Sequence, residues 1–113
     1  MPVRFARGDV LLATLVFSSG LGAKKRPVLV LRDTGDDDLL VLPITSQAAR
    51  TSHDVRLADW RDAGLKLPSV VRLEKFATIE KSAVVRRLGA LSPDESRRVV
   101  DALRVIFAEV LAG

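Results

Sequence analysis

Short apolar runs separated by polar turns fill the first three quarters of the chain and predict strands rather than helices. The runs are rich in Val, Ile and Leu and are bordered by Gly, Pro and Asp. The predicted strands are residues 10–17, 28–32, 39–44, 54–57 and 69–73, with further candidates at residues 77–79 and 84–88. Pro43 has no N–H for a ladder, so we expect the third strand to lie at a sheet edge or to carry a bulge there. A loop of small residues at 18–22 and a helical turn at 58–63, ended by Gly64, connect these strands.

The C-terminal segment carries a helix pattern. Ser92 and Glu95 form a capping box with Pro93 at the first helical position, so we expect Ser92 to accept from the Glu95 N–H and the Glu95 side chain to reach back. Apolar residues recur at helical spacing, namely Val99, Leu103, Ile106 and Val110, widened by Val100, Phe107 and Leu111. We expect this helix to pack on a sheet or on a partner. Many short strands followed by one helix predict a mainly β protein with a C-terminal helix, built as a small antiparallel sheet or barrel.

Composition narrows the class of protein. A chain of 113 residues, 48% of them hydrophobic, predicts one globular domain over residues 1–113. There is no Cys and only one His, His53, so we expect no disulfide, no metal site and no cofactor. His53 lies between Ser52 and Asp54 and is interpreted as a surface turn residue. No apolar run is long enough to cross a membrane, and the N-terminus lacks a signal core, so a soluble, cytoplasmic protein is expected.

Positive charge is concentrated in two segments. Residues 1–35 and residues 61–90 each have a net charge of +4, while the whole chain also has +4. Two basic segments can meet in space on one anionic partner. Aromatic residues make up only 4% of the chain, which argues against the base-stacking platforms of many single-strand binders.

Three cations, Lys24, Lys25 and Arg26, directly precede the second predicted strand. We expect Arg26 to be held at the mouth of that strand, where its planar guanidinium suits a phosphate. The alternative is a solvated loop that is basic by composition alone.

Two further segments carry candidate chemistry. Thr45, Ser46 and Gln47 follow an apolar strand, where hydroxyl groups can hold a phosphate or simply begin a turn. Period-2 alternation predicts that Arg72 and Glu74 share one face of a strand. A carboxylate beside a guanidinium stays ionised and can accept a proton, whereas a surface ion pair would contribute little.

Several short pieces, in order along almost the whole chain, resemble the MazF/PemK (Kid) family of type II toxin–antitoxin toxins. They are Arg7-Gly8-Asp9-Val10, Lys25-Arg26-Pro27-Val28-Leu29-Val30, Pro43-Ile44-Thr45-Ser46-Gln47, the segment from Gly64 to Arg72, Ala77-Thr78-Ile79-Glu80-Lys81 and Leu88-Gly89-Ala90-Leu91-Ser92. Each piece alone is unspecific, but their order and spacing together are specific.

The resemblance implies an SH3-like small barrel, a homodimer and a metal-independent endoribonuclease acting on single-stranded mRNA. In this family the ribose 2′-OH attacks the neighbouring phosphate, leaving a 2′,3′-cyclic phosphate and a 5′-OH. The resemblance implies catalytic roles for Arg26, Thr45, Arg72 and Glu74, with Glu74 as base. The neighbouring polar residues expected to bind RNA are Lys24, Lys25, Ser46, Gln47 and Lys75. A cognate antitoxin with an acidic, partly disordered tail is the expected protein partner.

The chain departs from the family pattern in one loop. Relatives often carry a Glu or His between the first two strands, and residues 18–23 here offer neither. Two rival functions follow: a binding module on the same barrel that does not cleave, and a gyrase poison of the related CcdB type. The C-terminal Trp-Gly-Ile on which CcdB toxins depend is absent, since this sequence ends Leu-Ala-Gly.

Overall fold

Seven strands and one long helix make up the part of the chain that the computed structural model describes, which is residues 3–16, 22–48 and 51–113. The strands are β1 (Asp9–Val16), β2 (Ala23–Asp33), β3 (Asp38–Thr45), β4 (Val55–Leu57), β5 (Ser69–Val71), β6 (Ala77–Glu80) and β7 (Val84–Ala90). A 3₁₀ turn, Lys81–Ala83, joins β6 to β7, and the helix α1 spans Pro93–Ala112. The end of the first predicted strand and most of the predicted loop at 18–22 lie outside the described residues.

The strands form one curled antiparallel sheet. Its order is β4-β5-β3-β2-β1-β7, and β6 pairs with β3 off this path. The long β1–β2 hairpin pairs Val10 with Leu29 and continues to Val16 opposite Ala23. Because β6 and β5 both pair with β3, the sheet bends there into a half-barrel. The predicted mainly antiparallel β fold with a C-terminal helix is confirmed.

The expectation for Pro43 is wrong. β3 is not an edge strand, since β2 lies on one side of it and β6 and β5 lie on the other. Pro43 sits at the position where the second partner changes from β6, last paired at Val41, to β5, first paired at Ile44. Its carbonyl accepts from the Arg72 N–H at 3.0 Å. The missing N–H of proline is therefore tolerated at a gap between two ladders rather than at an edge.

Apolar side chains cover both faces of the sheet. On one face Val10, Leu29, Leu42 and Val71 pack with the buried helix residue Val99. On the other face the buried residues are Leu11, Ala13, Val28, Val30, Leu39 and Val41. Successive side chains along β1 and β2 point to opposite faces of the sheet, so neighbouring apolar residues pack in different clusters. The curled sheet is thus fixed in register from both sides.

The helix begins as predicted, but the side chain of Glu95 makes different contacts from those expected. The Ser92 hydroxyl accepts from the Glu95 N–H at 3.2 Å, which confirms half of the capping box. The expected return of the Glu95 carboxylate to the Ser92 N–H is not among its contacts; within its own helix it accepts from the Arg98 guanidinium at 3.3 Å. It is buried and accepts from the backbone N–H groups of Ala58 at 3.0 Å and Asp59 at 2.8 Å. Glu95 therefore ties the turn after β4 to the helix, because those two amides would otherwise lose their partner.

Only part of the predicted apolar stripe on α1 is buried. Val99 and Ile106 are in the core, whereas the last turns leave Phe107 48%, Val110 67% and Leu111 85% exposed. None of the helices among the described residues meets the length and hydropathy that crossing a bilayer requires.

Candidate functional site

A groove of about 1360 Å³ runs along the curled sheet. Its walls come from the hairpin end of β1 and β2, the end of β3, the loop at 65–67, and the segment from Arg72 to Glu80. Small-molecule sites usually enclose about 300–1,000 Å³, so this open groove is large enough for a polymer.

Positive charge dominates the groove. Among the described residues, five cations line it, namely Lys25, Arg26, Lys66, Arg72 and Lys75, against the single carboxylate of Glu80. The net charge of these lining residues, +4, equals that of the whole chain. The two basic segments of the sequence therefore meet in one place. A cleft lined by one sign of charge concentrates ligands of the opposite sign, so the groove suits an anionic ligand.

Arg26 and Thr45 lie on one face of the sheet at neighbouring positions. The β2–β3 pairing ends with Val28 opposite Pro43, and Arg26 and Thr45 lie two residues beyond that pair on their strands, so alternation puts both on the face of that pair. Both residues line the groove. The Thr45 hydroxyl oxygen accepts from the Gln47 N–H at 3.1 Å, which leaves the hydroxyl hydrogen to donate. A guanidinium and a hydroxyl are thus placed together on rigid strands.

The predicted position of Arg26 at a strand mouth is wrong in detail. β2 begins at Ala23, so Arg26 lies inside the strand, paired with Ala13, and Lys25 is paired with Thr14. Pairing with the long strand β1 extends β2 beyond its apolar run. The alternative prediction, that these basic residues form a solvated loop, is also wrong because they lie in β2. Lys24 is paired one residue further towards the hairpin end and is not among the residues that line the groove.

Arg72 and Glu74 do not share a strand face. β5 ends at Val71, and the backbone turns at residues 73–74, where the Lys75 N–H donates to the Arg72 carbonyl at 3.4 Å. Arg72 is buried, and its guanidinium donates to a carboxylate oxygen of Asp54 at 3.3 Å. Glu74 is half exposed and is not among the groove-lining residues. Period-2 alternation places two residues on one face only while the strand continues, and here no strand continues through Glu74.

Glu74 is instead bound to His53. The His53 Nδ1 lies 2.8 Å from a Glu74 carboxylate oxygen, and its Nε2 lies 3.8 Å from Glu109 on α1. His53 itself lies in a turn, as predicted. The hydrogen bond to Glu74 raises the pKa of His53 above its ordinary value of 6.5. Partial burial opposes this shift, and the charges of Glu109, Glu74 and Asp54 reinforce it.

Because the pKa of His53 is raised in the folded protein, protonation of His53 favours folding. The stabilisation is complete below pH 6.5, the ordinary value, and is lost as the pH rises through the higher folded pKa. We expect the ring resonances of this single histidine to titrate above pH 6.5 by NMR, and Glu74→Gln to move the midpoint back down. An unchanged midpoint in Glu74→Gln would show that the contact with Glu74 does not control His53.

Seven of the nine sequence-predicted site residues line the groove, and Lys24 and Glu74 do not. Sequence reasoning missed Lys66, Phe76 and Glu80, which also line it. Lys66 lies in the family-like segment that begins at Gly64 and ends at the predicted site residue Arg72. That shared segment was the feature of the sequence from which Lys66 could have been predicted. Phe76 follows Lys75 directly, but nothing in the local pattern distinguishes it from a core residue.

Residues able to hold a metal ion are not clustered at this groove. Within residues 3–16, 22–48 and 51–113, no group of three or more His, Asp or Glu side chains is arranged to ligate one. The side chains at the groove that can donate hydrogen bonds are the cations, the hydroxyl groups and the amide of Gln47. Such groups hold phosphate oxygens directly.

Fold and groove together define a small curled-sheet protein with a cationic binding face. Residues 6–107 match the family model of the PemK-like, MazF-like toxins of type II toxin–antitoxin systems. Since this match covers most of the chain, the protein belongs to that family. The family predicted from the sequence motifs is confirmed.

Solved structures share the fold over nearly their whole length. The toxin MazF-mt6 of Mycobacterium tuberculosis is 26% identical, covering 88% of this chain and 96% of its own, with a TM-score of 0.70. An endoribonuclease from a mycobacterial species, solved with its cognate antitoxin, is 20% identical, covering 93% and 96%, with a TM-score of 0.72. MazF from Deinococcus radiodurans is 21% identical, covering 96% and 99%, with a TM-score of 0.71.

Proposed function

We propose that this toxin is a metal-independent endoribonuclease that cleaves single-stranded mRNA. The observation that carries the proposal is one groove lined by five cations of the described residues and by Thr45, with Arg26 and Thr45 each two residues beyond the paired Val28 and Pro43. Membership of the toxin family and the endoribonuclease solved with its antitoxin support it. The anionic polymer that fits the groove is, on this proposal, the RNA backbone.

The proposed reaction is an internal transfer of the phosphoryl group. The ribose 2′-OH loses its proton and attacks the adjacent phosphorus, the bond to the 5′-oxygen breaks, and that oxygen takes up a proton. The products are a 2′,3′-cyclic phosphate and a 5′-OH. Negative charge gathers on the non-bridging oxygens during attack. Arg26 and the Thr45 hydroxyl would stabilise that charge because they are already oriented by the strands.

The remaining groove residues would bind the strand on either side of the reacting phosphate. Lys25, Lys66 and Lys75 supply point charges for phosphates, while Ser46 and Gln47 offer hydrogen-bonding groups at the end of β3. Arg72 also lines the groove, although it is mostly buried, and its guanidinium lies 3.3 Å from a carboxylate oxygen of Asp54. Lys24 lies beyond the groove and would act through long-range attraction alone.

Incubation with a single-stranded RNA of mixed sequence in the presence of EDTA tests the proposal. We expect fragments with 5′-OH ends and 2′,3′-cyclic phosphates, and no cutting where a 2′-deoxyribose replaces the attacking ribose. RNA binding without fragments would support a binding module that does not cleave. Fragments with 5′-phosphates would contradict attack by the 2′-OH. Sequencing the 5′ ends would also define the cleavage motif.

Glu74 is the candidate base that the family resemblance implies. Its carboxylate is held by His53 at 2.8 Å and does not line the groove, so it could act only after leaving His53 and turning towards the RNA. We therefore expect Glu74→Gln to slow single-turnover cleavage by less than about tenfold at matched salt. A loss of about 100-fold or more, with RNA affinity unchanged or higher, would establish Glu74 as the base.

We further propose that the toxin is a cytoplasmic homodimer neutralised by a cognate antitoxin with an acidic, partly disordered tail. The cationic groove would accept such a tail in place of RNA. Two of the structural relatives, from mycobacterial species and D. radiodurans, were solved with antitoxins. Light scattering at micromolar concentration measures the dimer. Loss of cleavage on adding the antitoxin measures neutralisation.

A further inference from the structure

Phe76 is the aromatic residue among the described residues that line the cationic groove. It follows Lys75, which also lines the groove, and it directly precedes β6. Its side chain is 37% exposed, although a phenylalanine in a protein of this size is normally buried. A partly exposed ring in a groove that is also lined by cations suits a ligand that carries both negative charge and flat apolar groups.

The ring of Phe76 is supported from behind by the C-terminal helix. Its centroid lies 5.4 Å from that of Phe107, with the two ring planes tilted by 32°. Aromatic pairs at this separation attract each other beyond their shared buried area. The same helix reaches this segment indirectly, because Glu109 lies 3.8 Å from the Nε2 of His53, and the Nδ1 of His53 lies 2.8 Å from Glu74, two residues before Phe76. Phe76 is therefore held in place, with part of its surface facing the groove.

We propose that Phe76 stacks against a nucleobase of the bound single-stranded RNA, deepening the proposed endoribonuclease function on which this inference rests. Lys75 and Arg72 lie on the same stretch of wall and would hold the phosphates flanking that base. Every base has a flat π face, so one fixed ring can bind a strand without reading a particular base. Phe76 thus serves as a positioning platform that fixes the register of the strand relative to Arg26 and Thr45.

The test compares RNA with and without bases. Wild type, Phe76→Leu and Phe76→Trp are titrated with a 2′-O-methyl RNA of mixed sequence, which cannot be cleaved, and with an abasic strand of equal length and charge. Leucine keeps an apolar side chain of similar size but has no π face. Stacking on one aromatic residue accounts for roughly tenfold in affinity. We expect Phe76→Leu to weaken binding of the base-containing strand by about tenfold, leaving the abasic strand unaffected.

Phe76→Trp is the variant that should keep the function, because the larger indole ring should retain or improve stacking. We expect its affinity to match wild type and its added tryptophan fluorescence to be quenched by the base-containing strand only. If Phe76→Leu bound each of the two strands as tightly as wild type does, stacking on Phe76 would be ruled out. Cleavage by wild type would be unaffected by that result. A change of mass in light scattering without a change in RNA affinity would overturn it in favour of a subunit contact. Failure of wild type to bind or cleave RNA would remove the proposed function as well.

Discussion

Replacing Arg26 by Ala is expected to slow RNA cleavage by about 100- to 1000-fold, the usual effect of removing one oriented donor from a site that stabilises developing negative charge. Arg26 is exposed on the middle of the β1–β2 hairpin and takes part in no ion pair that the structure records among its described residues. The fold should therefore survive, with the free energy of unfolding changing by less than about 0.5 kcal/mol. The measurement is single-turnover cleavage beside a urea denaturation curve.

Two variants separate position from charge. Arg26→Lys keeps the charge but loses the planar fork, so it should recover only part of the rate. Arg104→Ala removes an equal charge from an exposed site on α1 outside the groove and should leave the cleavage rate near wild type. If Arg26→Ala and Arg104→Ala behaved alike, general electrostatic attraction rather than a placed guanidinium would explain the groove.

Local patterns in the sequence predicted the elements of the fold because each depends on neighbours along the chain. Apolar runs marked β1 to β3, and Ser92 marked the start of α1. Predictions that needed a partner far along the chain were incomplete. Glu95 accepts from backbone amides 36 and 37 residues away instead of from the N–H at the start of its own helix, and helix periodicity contains no information about those distant partners.

In the candidate site, too, features that depend on distant partners could not be predicted from local patterns. Its walls come from four separate segments, and only the family resemblance connected Arg26, Thr45 and Arg72 before the structure did. The resemblance could not show that β5 ends at Val71, so the expected pairing of Arg72 with Glu74 was wrong. Asp54 takes the place of Glu74 beside Arg72, and Glu74 binds His53. Phe76 was missed because its position in the groove wall depends on a contact with Phe107, which lies 31 residues further along the chain.

Two glycines in the family-like motifs have a structural reason that the sequence alone does not reveal. Gly64 ends the turn after β4 with φ at +84°, and a Cβ there would lie 2.1 Å from the carbonyl oxygen of Leu88. A Cβ on Gly89 of β7 would lie 2.6 Å from the carbonyl oxygen of Ala63. The two backbones are therefore in direct contact. That contact fixes the start of the loop at 65–67, which forms one wall of the groove.

Gly64→Ala is accordingly expected to lower the free energy of unfolding by about 3 to 5 kcal/mol, since a positive φ costs a side chain about 1 kcal/mol and overlap with a fixed backbone adds more. Gly22→Ala is the matched control, because Gly22 has nearly the same φ, +83°, but its Cβ would meet no atom of the described part of the chain within 4 Å. It should cost about 1 kcal/mol or less, because the smaller entropy of the unfolded chain offsets part of the strain. Urea denaturation of the two variants measures the difference.

Equal losses of stability in the two variants would mean that the backbone at Gly64 can move away from Leu88 at little cost. The close contact would then not fix the loop that carries Lys66. A larger loss for Gly64→Ala, accompanied by weaker RNA binding in the fraction that remains folded, would show that the close contact of two backbones positions this wall of the groove.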